Sequence, residues 1–436
     1  MKQYTTFYEL LEQQSSTKDM FLYEEEGDLC HITYEDFRKN ILSFPKIEKQ
    51  RVGILTENSY ECILSIFACA YQKKDIILLN PRDNDETIKE QIIAADVAYL
   101  LGDEKNLYEE YLREDIPSST PKILFFTSGT TSRAKAVVLD ETKLCASAYN
   151  GGYCLPLKKE DILLCLLPLS HVFGFVCSLL WGLSFNCTIA LGRGLRHMMD
   201  DLEFFKPTVL TAVPQMAMFY LKHELFNPEL RLVLIGGGDC PENILLGIQN
   251  KGIQVSFGYG LTETSSGVAL STGKEPKKMT ICPLNKITLA EDNEILIESD
   301  DILFDGYYKH EEDTKAVIID HKYHTGDLGS IDEEGKLTII GRKKEMLVFD
   351  DGTKIFLPEY EGRLRSYLPE DDLAVNIKDQ QVCLYIHTKK EEAEINMAIM
   401  EFNKRCSRGN RISFVQYSST PLPKTQTGKV KRYLLH

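Results

Sequence analysis

Short apolar runs alternate with segments of helical spacing along residues 1–271, and this alternation limits the fold more than any other feature of the sequence. Val52 to Leu55 and Asp75 to Leu79 are predicted strands, and Ser59 to Tyr71 between them is a predicted helix. Strands that are joined through helices usually pair in parallel, with helices on both faces of the sheet. The sequence therefore predicts an α/β fold, with mainly parallel β-sheets covered by helices in a large N-terminal domain.

The pattern changes after about Ser271. Short strands follow, of which Lys286 to Ala290 and Glu294 to Glu298 are predicted to pair. Beyond a charged cluster, the pattern indicates a compact α+β segment with a helix from Glu391 to Cys406. The predicted domains are residues 1–341, with α/β sheets at 1–271 and a small β subdomain at 272–341, and residues 346–436, a small α+β domain after a boundary at 342–345.

Charge and cysteine content exclude several classes of function. A net charge of −15 argues against general binding to nucleic acid or to an anionic membrane. The 12 cysteines form no C-x-x-C pair and no Cys/His spacing that suits zinc, which favours reduced cysteines in the core. Met1 to Met20 lacks the basic start and the apolar stretch of a secretory signal, so we expect a cytoplasmic protein.

One apolar segment has the composition of a membrane span. Ile162 to Gly192 contains no Asp, Glu, Lys or Arg, and it is longer than the about 20 residues that a span needs. Pro168, Gly174 and Asn186 interrupt the segment, which favours a buried strand, turn, helix and strand in a globular core. We therefore predict no membrane span.

The apolar run Ile123 to Phe126 leads into a predicted phosphate loop. Small or hydroxylated residues, Thr127 to Thr131, follow the run, and Lys135 comes next. Hydroxyls and backbone N–H groups converge on an anion where the chain turns without bulky side chains, and a lysine adds positive charge. An ordinary Ser/Thr-rich loop is the alternative. The Walker pattern is excluded, because residues 134 and 136 are alanines where it requires a glycine and a hydroxyl residue.

A glycine triplet, Gly236-Gly237-Gly238, follows the predicted strand Leu232 to Ile235. It allows the backbone to approach a flat group, although a tight βα turn is the simpler explanation.

A second motif, Tyr259 to Thr264, follows the predicted strand Val255 to Gly258. Its aromatic ring suits stacking on a purine and its carboxylate, Glu263, suits Mg²⁺ between phosphate oxygens, with a surface turn as the alternative.

Two further motifs lie in the last third of the chain. Thr325-Gly326-Asp327 places a carboxylate where it can bind two ribose hydroxyls, and type I turn chemistry is the alternative. The tail from Pro423 to Arg432 has a rigid approach and then a flexible glycine before Lys429. A solvated basic end is the alternative for this tail.

The order and spacing of these motifs resemble the AMP-forming acyl-CoA synthetase and adenylation superfamily, closest to its fatty-acyl and aryl-CoA ligase branch. The resemblance extends from about Ile123 to the end of the chain, and Tyr259 to Glu263 resembles the family's adenylate motif. Gly341-Arg342-Lys343-Lys344 resembles its hinge. The resemblance implies an adenylate-forming N-terminal domain and a mobile C-terminal domain that carries a catalytic lysine.

The resemblance also implies a role for each matching residue. The residues expected to bind ATP are Thr127, Ser128, Gly129, Thr130, Thr131, Lys135, Gly236, Gly237, Gly238, Tyr259, Gly260, Asp327 and Arg342. Those expected to hold Mg²⁺ are Glu263 and Thr127, and those expected to be catalytic are Lys429, Glu263, Thr262 and His171. His171, Phe173 and Gly260 are expected in the acid pocket, and Lys344 at the hinge. A core histidine is the alternative for His171.

The implied reaction uses ATP to convert a carboxylic acid into an acyl-adenylate, releases pyrophosphate, and transfers the acyl group to CoA. Ile162 to Gly192 carries no acid that could pair with an ammonium group, so we expect a fatty or aromatic acid rather than an α-amino acid. Two alternatives stay open. One is transfer to the phosphopantetheine of an acyl carrier protein, and the other is an ATP-binding pseudoenzyme without turnover.

The phosphate loop departs from the family pattern at three positions. Ser132, Ala134 and Ala136 stand where the family usually has glycine, proline and glycine. Residues 132 and 136 have less backbone freedom than glycine, which is expected to stiffen the loop. Residue 134 is alanine where the family has proline, which is expected to make the end of the loop more flexible. ATP affinity is the property that these substitutions are expected to change most.

Overall fold

The structure is a computed structural model that describes residues 3–14, 17–103, 105–118, 120–127, 135–348, 354–369, 371–378, 381–407, 410–424, 430 and 432–435. The chain divides into two compact units. The first comprises Met1–Thr288, Leu296–His324 and Ile331–Thr338, and the second comprises Leu289–Ile295, Thr325–Ser330 and Ile339–His436.

Strands and helices alternate along most of the chain. The strands are β1 (Asp19–Glu25), β2 (Asp28–Thr33), β3 (Arg51–Leu55), β4 (Asp75–Leu79), β5 (Tyr99–Leu101), β6 (Ile123–Phe126), β7 (Ala136–Leu139), β8 (Ile162–Cys165), β9 (Thr188–Leu191), β10 (Val209–Ala212), β11 (Leu232–Ile235), β12 (Gln254–Leu261), β13 (Ser266–Leu270), β14 (Met279–Ile281), β15 (Lys286–Leu289), β16 (Glu294–Glu298), β17 (Gly306–Tyr307), β18 (Ile318–Ile319), β19 (Lys322–Ile331), β20 (Lys336–Arg342), β21 (Met346–Val348), β22 (Lys354–Phe356), β23 (Asp372–Lys378), β24 (Gln381–His387) and β25 (Ile412–Tyr417). The α-helices are α1 (Phe7–Glu12), α2 (Tyr34–Ser43), α3 (Tyr60–Tyr71), α4 (Asp85–Ala94), α5 (Glu141–Cys154), α6 (Val172–Gly174), α7 (Trp181–Ser184), α8 (Asp201–Phe205), α9 (Pro214–Lys222), α10 (Glu242–Gln249), α11 (Glu311–Val317), α12 (Leu357–Arg365) and α13 (Glu392–Lys404).

Two sheets form the framework of the first unit. One runs in the order β17-β7-β6-β4-β3-β5, in which β3 to β6 pair in parallel and β7 and β17 are antiparallel. In the other, β12, β11, β10, β8, β9 and β1 are parallel neighbours, and β2 is antiparallel at one end. Beyond β12 the order continues through β13, β14, β20, β19, β16 and β15, of which β13, β14 and β20 pair in an antiparallel manner. The predicted α/β architecture with mainly parallel sheets is confirmed. The predicted pairing of β15 with β16 is also confirmed, since they are neighbours in the sheet.

Capping side chains set the starts of several helices in the first unit. The side chains of Thr33, Ser59, Asn84 and Asp140 each accept a hydrogen bond from the backbone N–H three residues later, at the starts of α2, α3, α4 and α5. Each of these helices also has an acidic residue in its first turn, which favours the positive end of the helix dipole. Strands β3, β4 and β6 are buried along their whole length, so these helices cover a continuous apolar sheet.

The uncharged segment from 162 to 192 lies in the core of the first unit. It forms β8, then α6, a π-helical turn at Phe175–Leu180 and α7, and finally β9. Phe175, Leu179 and Leu180 are fully buried there. The predicted strand, turn, helix and strand are confirmed. Within the described ranges, no helix has the length and apolar character that a membrane crossing requires.

The second unit has its own sheet and core. β23 pairs antiparallel with β24, β24 pairs parallel with β25, and α12 and α13 contribute Leu364 and Phe402 to the core. The helix predicted from Glu391 to Cys406 is present here as α13, whereas β25 was not predicted because much of it is exposed and shows no clear alternation. Gly341 precedes the charged cluster, and a Cβ at this position would lie 1.7 Å from the ring of Phe356. Only glycine allows that approach.

Candidate active site

The two ends of the predicted phosphate loop meet where β6 and β7 pair. The backbone N–H of Thr127 donates to the carbonyl oxygen of Lys135 at 3.0 Å. The predicted binding residues between them lie outside the described residues, and these are Ser128, Gly129, Thr130 and Thr131. Thr127 and Lys135 therefore mark where the loop leaves the sheet and rejoins it.

The amine of Lys135 makes two contacts that the sequence did not indicate. Its Nζ forms an ion pair with Oδ1 of Asp313 at 2.9 Å, and it lies 5.0 Å from the centre of the Tyr307 ring. The hydrogen bond from Lys135, supported by the charge of His310, holds the pKa of Asp313 below its ordinary value. Asp313 lies in the first turn of α11, which begins with three acidic residues. The amine that is predicted to bind phosphate is thus paired with a carboxylate here.

The adenylate motif lies mostly within β12. Tyr259 and Gly260 belong to the strand, and Thr262 and Glu263 lie in the 3₁₀ turn that follows it. The prediction that the strand ends at Gly258 is wrong, because β12 continues to Leu261 through antiparallel pairing with β13. A Cβ at Gly260 would lie 1.7 Å from the carbonyl oxygen of Ser266. Glycine at this position is therefore required by a close approach of two strands.

Tyr307 orients the carboxylate of Glu263. Its hydroxyl donates to Oε1 of Glu263 at 2.8 Å, and the backbone N–H of Phe304 donates to the carbonyl oxygen of Glu263 at 2.9 Å. Burial, together with the negative charge of Glu263, raises the pKa of Tyr307, so its hydroxyl stays protonated and remains a donor. A neutral donor orients a carboxylate without cancelling its charge. One ring thus contacts both Glu263 and Lys135.

The glycine triplet at the end of β11 lies against Phe173. A Cβ at Gly236 would be 2.9 Å from Cζ of Phe173, and Gly237 has a φ of +75°, in the left-handed region. His171 is open to solvent, yet the surrounding protein desolvates its ring and lowers its pKa, against an opposing effect of the Asp83 charge. The structure therefore brings together two of the segments that were predicted to bind adenine and to line the acid pocket.

In the second unit, the two residues predicted to bind ribose contact each other. Nε of Arg342 pairs with Oδ1 of Asp327 at 3.0 Å. Asp327 is 3% exposed, whereas 48% of the Arg342 side chain is exposed. Oγ1 of Thr325 accepts from the N–H of Asp327 at 3.0 Å and donates to the carbonyl oxygen of Ile295 at 2.8 Å. Thr325, Gly326 and Asp327 lie within β19, where the sequence predicted a turn. The buried carboxylate is thus fixed by Thr325 of the same strand and by a partly exposed guanidinium.

Glu294 contacts the same part of β19 and was not predicted as a site residue. Its Oε1 accepts from the N–H of Gly326 at 2.9 Å, and its Oε2 pairs with Nζ of Lys343 at 3.1 Å. Lys343 also pairs with Asp292 at 2.5 Å. Lys344, the predicted hinge residue, is exposed, and its role at a hinge stays a prediction. An acid at the start of β16 was the only sequence signal for Glu294.

The predicted catalytic Lys429 lies outside the described residues. The chain on either side of it is anchored within the second unit. Lys424 forms an isolated β-bridge with Val430, and its Nζ pairs with Asp372 at 2.7 Å. The N–H of Leu422 also donates to Asp372, at 2.8 Å. These contacts join Leu422, Lys424 and Val430 to the rest of the second unit.

The described residues suit a magnesium ion that is bound together with a nucleotide. No group of three or more His, Cys, Asp or Glu among them is placed to hold a metal. Mg²⁺ is commonly bound by one or two carboxylates together with phosphate oxygens and waters. Glu263, oriented by a neutral hydroxyl, offers one such carboxylate.

The sequence matches the model of one protein family and is similar to two proteins named as CoA ligases. The family model described as AMP-binding enzyme matches residues 46–295, which is more than half of the chain. A 2-succinylbenzoate–CoA ligase of Bacillus cytotoxicus is 28% identical over 364 residues, which cover 75% of this chain and 75% of that relative. A long-chain-fatty-acid–CoA ligase, FadD15, of Mycobacterium bovis is 30% identical over 315 residues, which cover 57% of this chain and 51% of that relative.

Solved structures share the fold over almost the whole chain. The O-succinylbenzoate coenzyme A synthetase of Bacillus subtilis in complex with AMP has a TM-score of 0.83 and 22% identity, and the match covers 98% of this chain and 97% of that chain. A structure of the same synthetase with ATP and a magnesium ion has a TM-score of 0.80 and 21% identity, with 96% of each chain covered. At these identities the likeness establishes the fold.

Proposed function

The chain belongs to the AMP-binding enzyme family, and from this premise we propose that it is an AMP-forming acid–CoA ligase. In the first step, the carboxylate of the acid attacks the α-phosphorus of ATP and pyrophosphate leaves. In the second, the CoA thiol attacks the acyl carbon and AMP leaves. The observation that carries the proposal is the Tyr307 ring, which orients Glu263 and lies under Lys135. A nucleotide site needs a carboxylate that binds the cation on the phosphates, and it needs an amine that binds a phosphate directly.

ATP and Mg²⁺, which a structure of the similar Bacillus subtilis synthetase contains, are the proposed ligands of this site. When bound, Mg²⁺ would supply positive charge that offsets the negative charge of the phosphates. Lys135 would exchange Asp313 for a phosphate oxygen, and Asp327 would accept hydrogen bonds from ribose hydroxyls. Lys429 is proposed to lie between the attacking carboxylate and the α-phosphate, because its charge offsets the repulsion between two anions.

The proposed acid has an apolar body, either fatty or aromatic. Desolvation lowers the pKa of His171, so its ring is neutral near pH 7. The segment 162–192 that contains it also has no carboxylate. The segment 162–192 therefore offers no partner to an ammonium group on the substrate, and an unpaired ammonium is costly in a buried site. The relatives are named for 2-succinylbenzoate and for long-chain fatty acids, and both acids belong in the first test.

Acid-dependent exchange of labelled pyrophosphate into ATP tests the first step. The panel contains 2-succinylbenzoate, simple aromatic acids, fatty acids of increasing length and α-amino acids. We expect exchange with one apolar class and, after CoA is added, the matching thioester by mass spectrometry. Exchange without a CoA thioester, but with loading of a holo carrier protein, would favour the carrier protein as acceptor. Absence of exchange with every acid would contradict enzymatic activity and favour a pseudoenzyme.

Substitution of Lys429 tests the role of the tail. We expect Lys429→Ala to lower exchange by about 10²-fold or more while ATP binding stays nearly intact, since the lysine is proposed to act on charge that develops during attack. Lys404→Ala is the matched control, because Lys404 is an exposed lysine of α13 that pairs with Glu401. Exchange at the parent rate in Lys429→Ala would show that this tail assignment is wrong.

A further inference from the structure

The turn that follows the adenylate motif has an uncommon backbone conformation. Ser265 has a φ of +52° and Ser266 has a φ of +109°, and both residues are almost completely buried. A positive φ is uncommon for residues that carry a Cβ, and two in succession persist only where the surrounding contacts hold them. Strained positions of this kind concentrate at functional sites. The contacts of the turn therefore bear on Glu263, which lies two residues before Ser265.

Thr264 closes this turn from within. Its Oγ1 accepts from the backbone N–H of Leu261 at 3.0 Å and lies 2.9 Å from the carbonyl oxygen of Ser266. The backbone N–H of Ser265 donates to the carbonyl oxygen of Thr262 at 3.1 Å. The backbone donor of Ser265 is thus used within the turn, and its hydroxyl is the donor that reaches another segment.

The hydroxyl of Ser265 contacts the segment that leads to Tyr307. Its Oγ donates to the carbonyl oxygen of Ile302 at 2.7 Å, and the N–H of Phe304 donates to the carbonyl oxygen of Glu263 at 2.9 Å. The two contacts join 265 to 302 and 263 to 304, so the two segments run antiparallel, and a side chain replaces the backbone donor at the second contact. Ile302 is fully buried, so the loss of this donor from its carbonyl oxygen would be costly.

We propose that Ser265 is a positioning residue for the carboxylate of Glu263, an inference that rests on the proposed role of Glu263 at a nucleotide site. Ile302 and Phe304 hold the backbone of the turn, and Tyr307 of the same segment holds the carboxylate at 2.8 Å. The hydrogen bond of Ser265 fixes the separation of the two segments and therefore the direction in which Tyr307 presents the carboxylate. Ser265 acts through Glu263.

Substitution of Ser265 tests the proposal through the Mg²⁺ dependence of ATP binding. The full-length parent and Ser265→Ala are heated with ATP and increasing MgCl₂, and the rise in melting temperature over the ligand-free protein is measured. We expect Ser265→Ala to need about 10-fold more Mg²⁺ for half of the maximal rise, because residues that orient a metal ligand affect metal affinity on this scale. Ser265→Gly should show the same change. Glycine adopts a φ of +52° without strain, so this second variant protects the test against misfolding.

The matched control is Ser256→Ala. Ser256 is also a fully buried serine, and its Oγ donates to the carbonyl oxygen of Ser271 at 2.7 Å. The control loses a hydrogen bond of the same kind and length, so its ligand-free melting temperature should fall by a similar amount. Its Mg²⁺ requirement should equal that of the parent, because this hydrogen bond lies at the opposite end of the β12 and β13 pair.

A double variant separates positioning from a general loss of stability. If Ser265 acts through the direction that Tyr307 gives to Glu263, Ser265→Ala combined with Tyr307→Phe should need little more Mg²⁺ than Tyr307→Phe alone. Effects of the two substitutions that multiply in full would overturn the proposal, since they would show that the residues act independently.

Three further results would overturn the proposal. They are an unchanged Mg²⁺ requirement in Ser265→Ala or Ser265→Gly, an equal rise of the requirement in Ser256→Ala, and a parent in which ATP binding does not depend on Mg²⁺. The proposed ligase activity is tested separately. Absence of pyrophosphate exchange in a parent that binds ATP with Mg²⁺ would contradict the ligase activity, whereas the comparison of Ser265→Ala with Ser256→Ala would still decide the role of Ser265.

Discussion

Glu263 and Asp327, the two carboxylates predicted to contact a nucleotide, are held in different ways. Glu263 accepts from the neutral hydroxyl of Tyr307 at 2.8 Å, whereas Asp327 pairs with the cationic Arg342 at 3.0 Å. A neutral donor fixes the direction of a carboxylate and leaves its charge available to a cation. A guanidinium fixes the direction and offsets much of the charge. The first arrangement suits a ligand of Mg²⁺, and the second suits a pair that binds uncharged hydroxyls.

The structures that support the two carboxylates also differ. Tyr307 lies in β17, which pairs with β7, and its backbone N–H donates to Oγ1 of Thr314 at 2.9 Å. Arg342 is the last residue of β20, and about half of its side chain meets solvent. The partner of the first carboxylate is thus held within a sheet and contacts Thr314, whereas the partner of the second is a half-exposed side chain at the end of a strand. We expect substitutions at the first site to change the rate of adenylation, and those at the second to change nucleotide affinity.

The largest effect is expected for Glu263→Gln. The variant keeps an oxygen that can accept from Tyr307 but loses the negative charge, so the catalytic rate of pyrophosphate exchange should fall about 10²- to 10³-fold. Titration with Mg²⁺ measures the cation dependence of the remaining activity. Glu298→Gln is the control, because Glu298 pairs with Lys286 and Lys322 instead. An unchanged rate with an unchanged Mg²⁺ dependence would show that Glu263 does not bind the cation.

A smaller effect, on affinity, is expected for Asp327→Asn. Loss of charge-assisted hydrogen bonds to ribose should raise the KM for ATP by about 10- to 100-fold and leave the catalytic rate nearly unchanged. Deoxy analogues of ATP serve as the chemical control. An analogue that lacks the contacted hydroxyl should bind weakly to the parent and show little further loss in the variant. If the variant still discriminates between ATP and these analogues as strongly as the parent, Asp327 does not bind ribose.

The parallel framework could be predicted from the sequence because its signals are local. β3, β4 and β6 are short apolar runs, and the helices near them start at capping residues. The length of β12 could not be predicted in the same way. Glycines at 258 and 260 favour a turn, and only the approach of Ser266 explains why Gly260 lies within a strand.

The partners of the candidate site residues were harder to predict because they are distant in sequence. Tyr307 lies 44 residues after Glu263, and β17, which places it, has only two residues. A strand of that length gives almost no periodic signal. Glu294 lies 32 residues before the Gly326 that it contacts. Local motifs therefore predicted the residues of the site. The partners that set the charge around those residues could be identified only from the three-dimensional structure.

An intermediate effect is expected for Tyr307→Phe. Without the hydroxyl, Glu263 keeps its charge but loses its orientation, so exchange should fall about 10-fold and need more Mg²⁺. The parent should keep its Mg²⁺ dependence as pH rises to about 10, because the raised pKa of Tyr307 keeps its hydroxyl protonated. The matched control is Tyr308→Phe, which removes the neighbouring hydroxyl that donates to Asp96 at 2.8 Å. That variant should lose about 1 kcal/mol of stability without a change in Mg²⁺ dependence. Equal Mg²⁺ dependence in the two variants would contradict an orienting role for Tyr307.

The smallest effect is expected for Asp313→Asn, and its direction is informative. Asp313 pairs with Lys135 at 2.9 Å and therefore competes with phosphate for the same amine. Because a partly exposed ion pair contributes little, its loss should lower the KM for ATP by only about 2- to 5-fold, and the difference should shrink at high salt. Glu312→Gln is the matched control, since Glu312 is in the same turn and pairs with Lys315. A higher KM in Asp313→Asn would mean that Asp313 positions Lys135 for phosphate instead of competing with it. In that case Lys135 would depend on a partner for its orientation, as Glu263 depends on Tyr307.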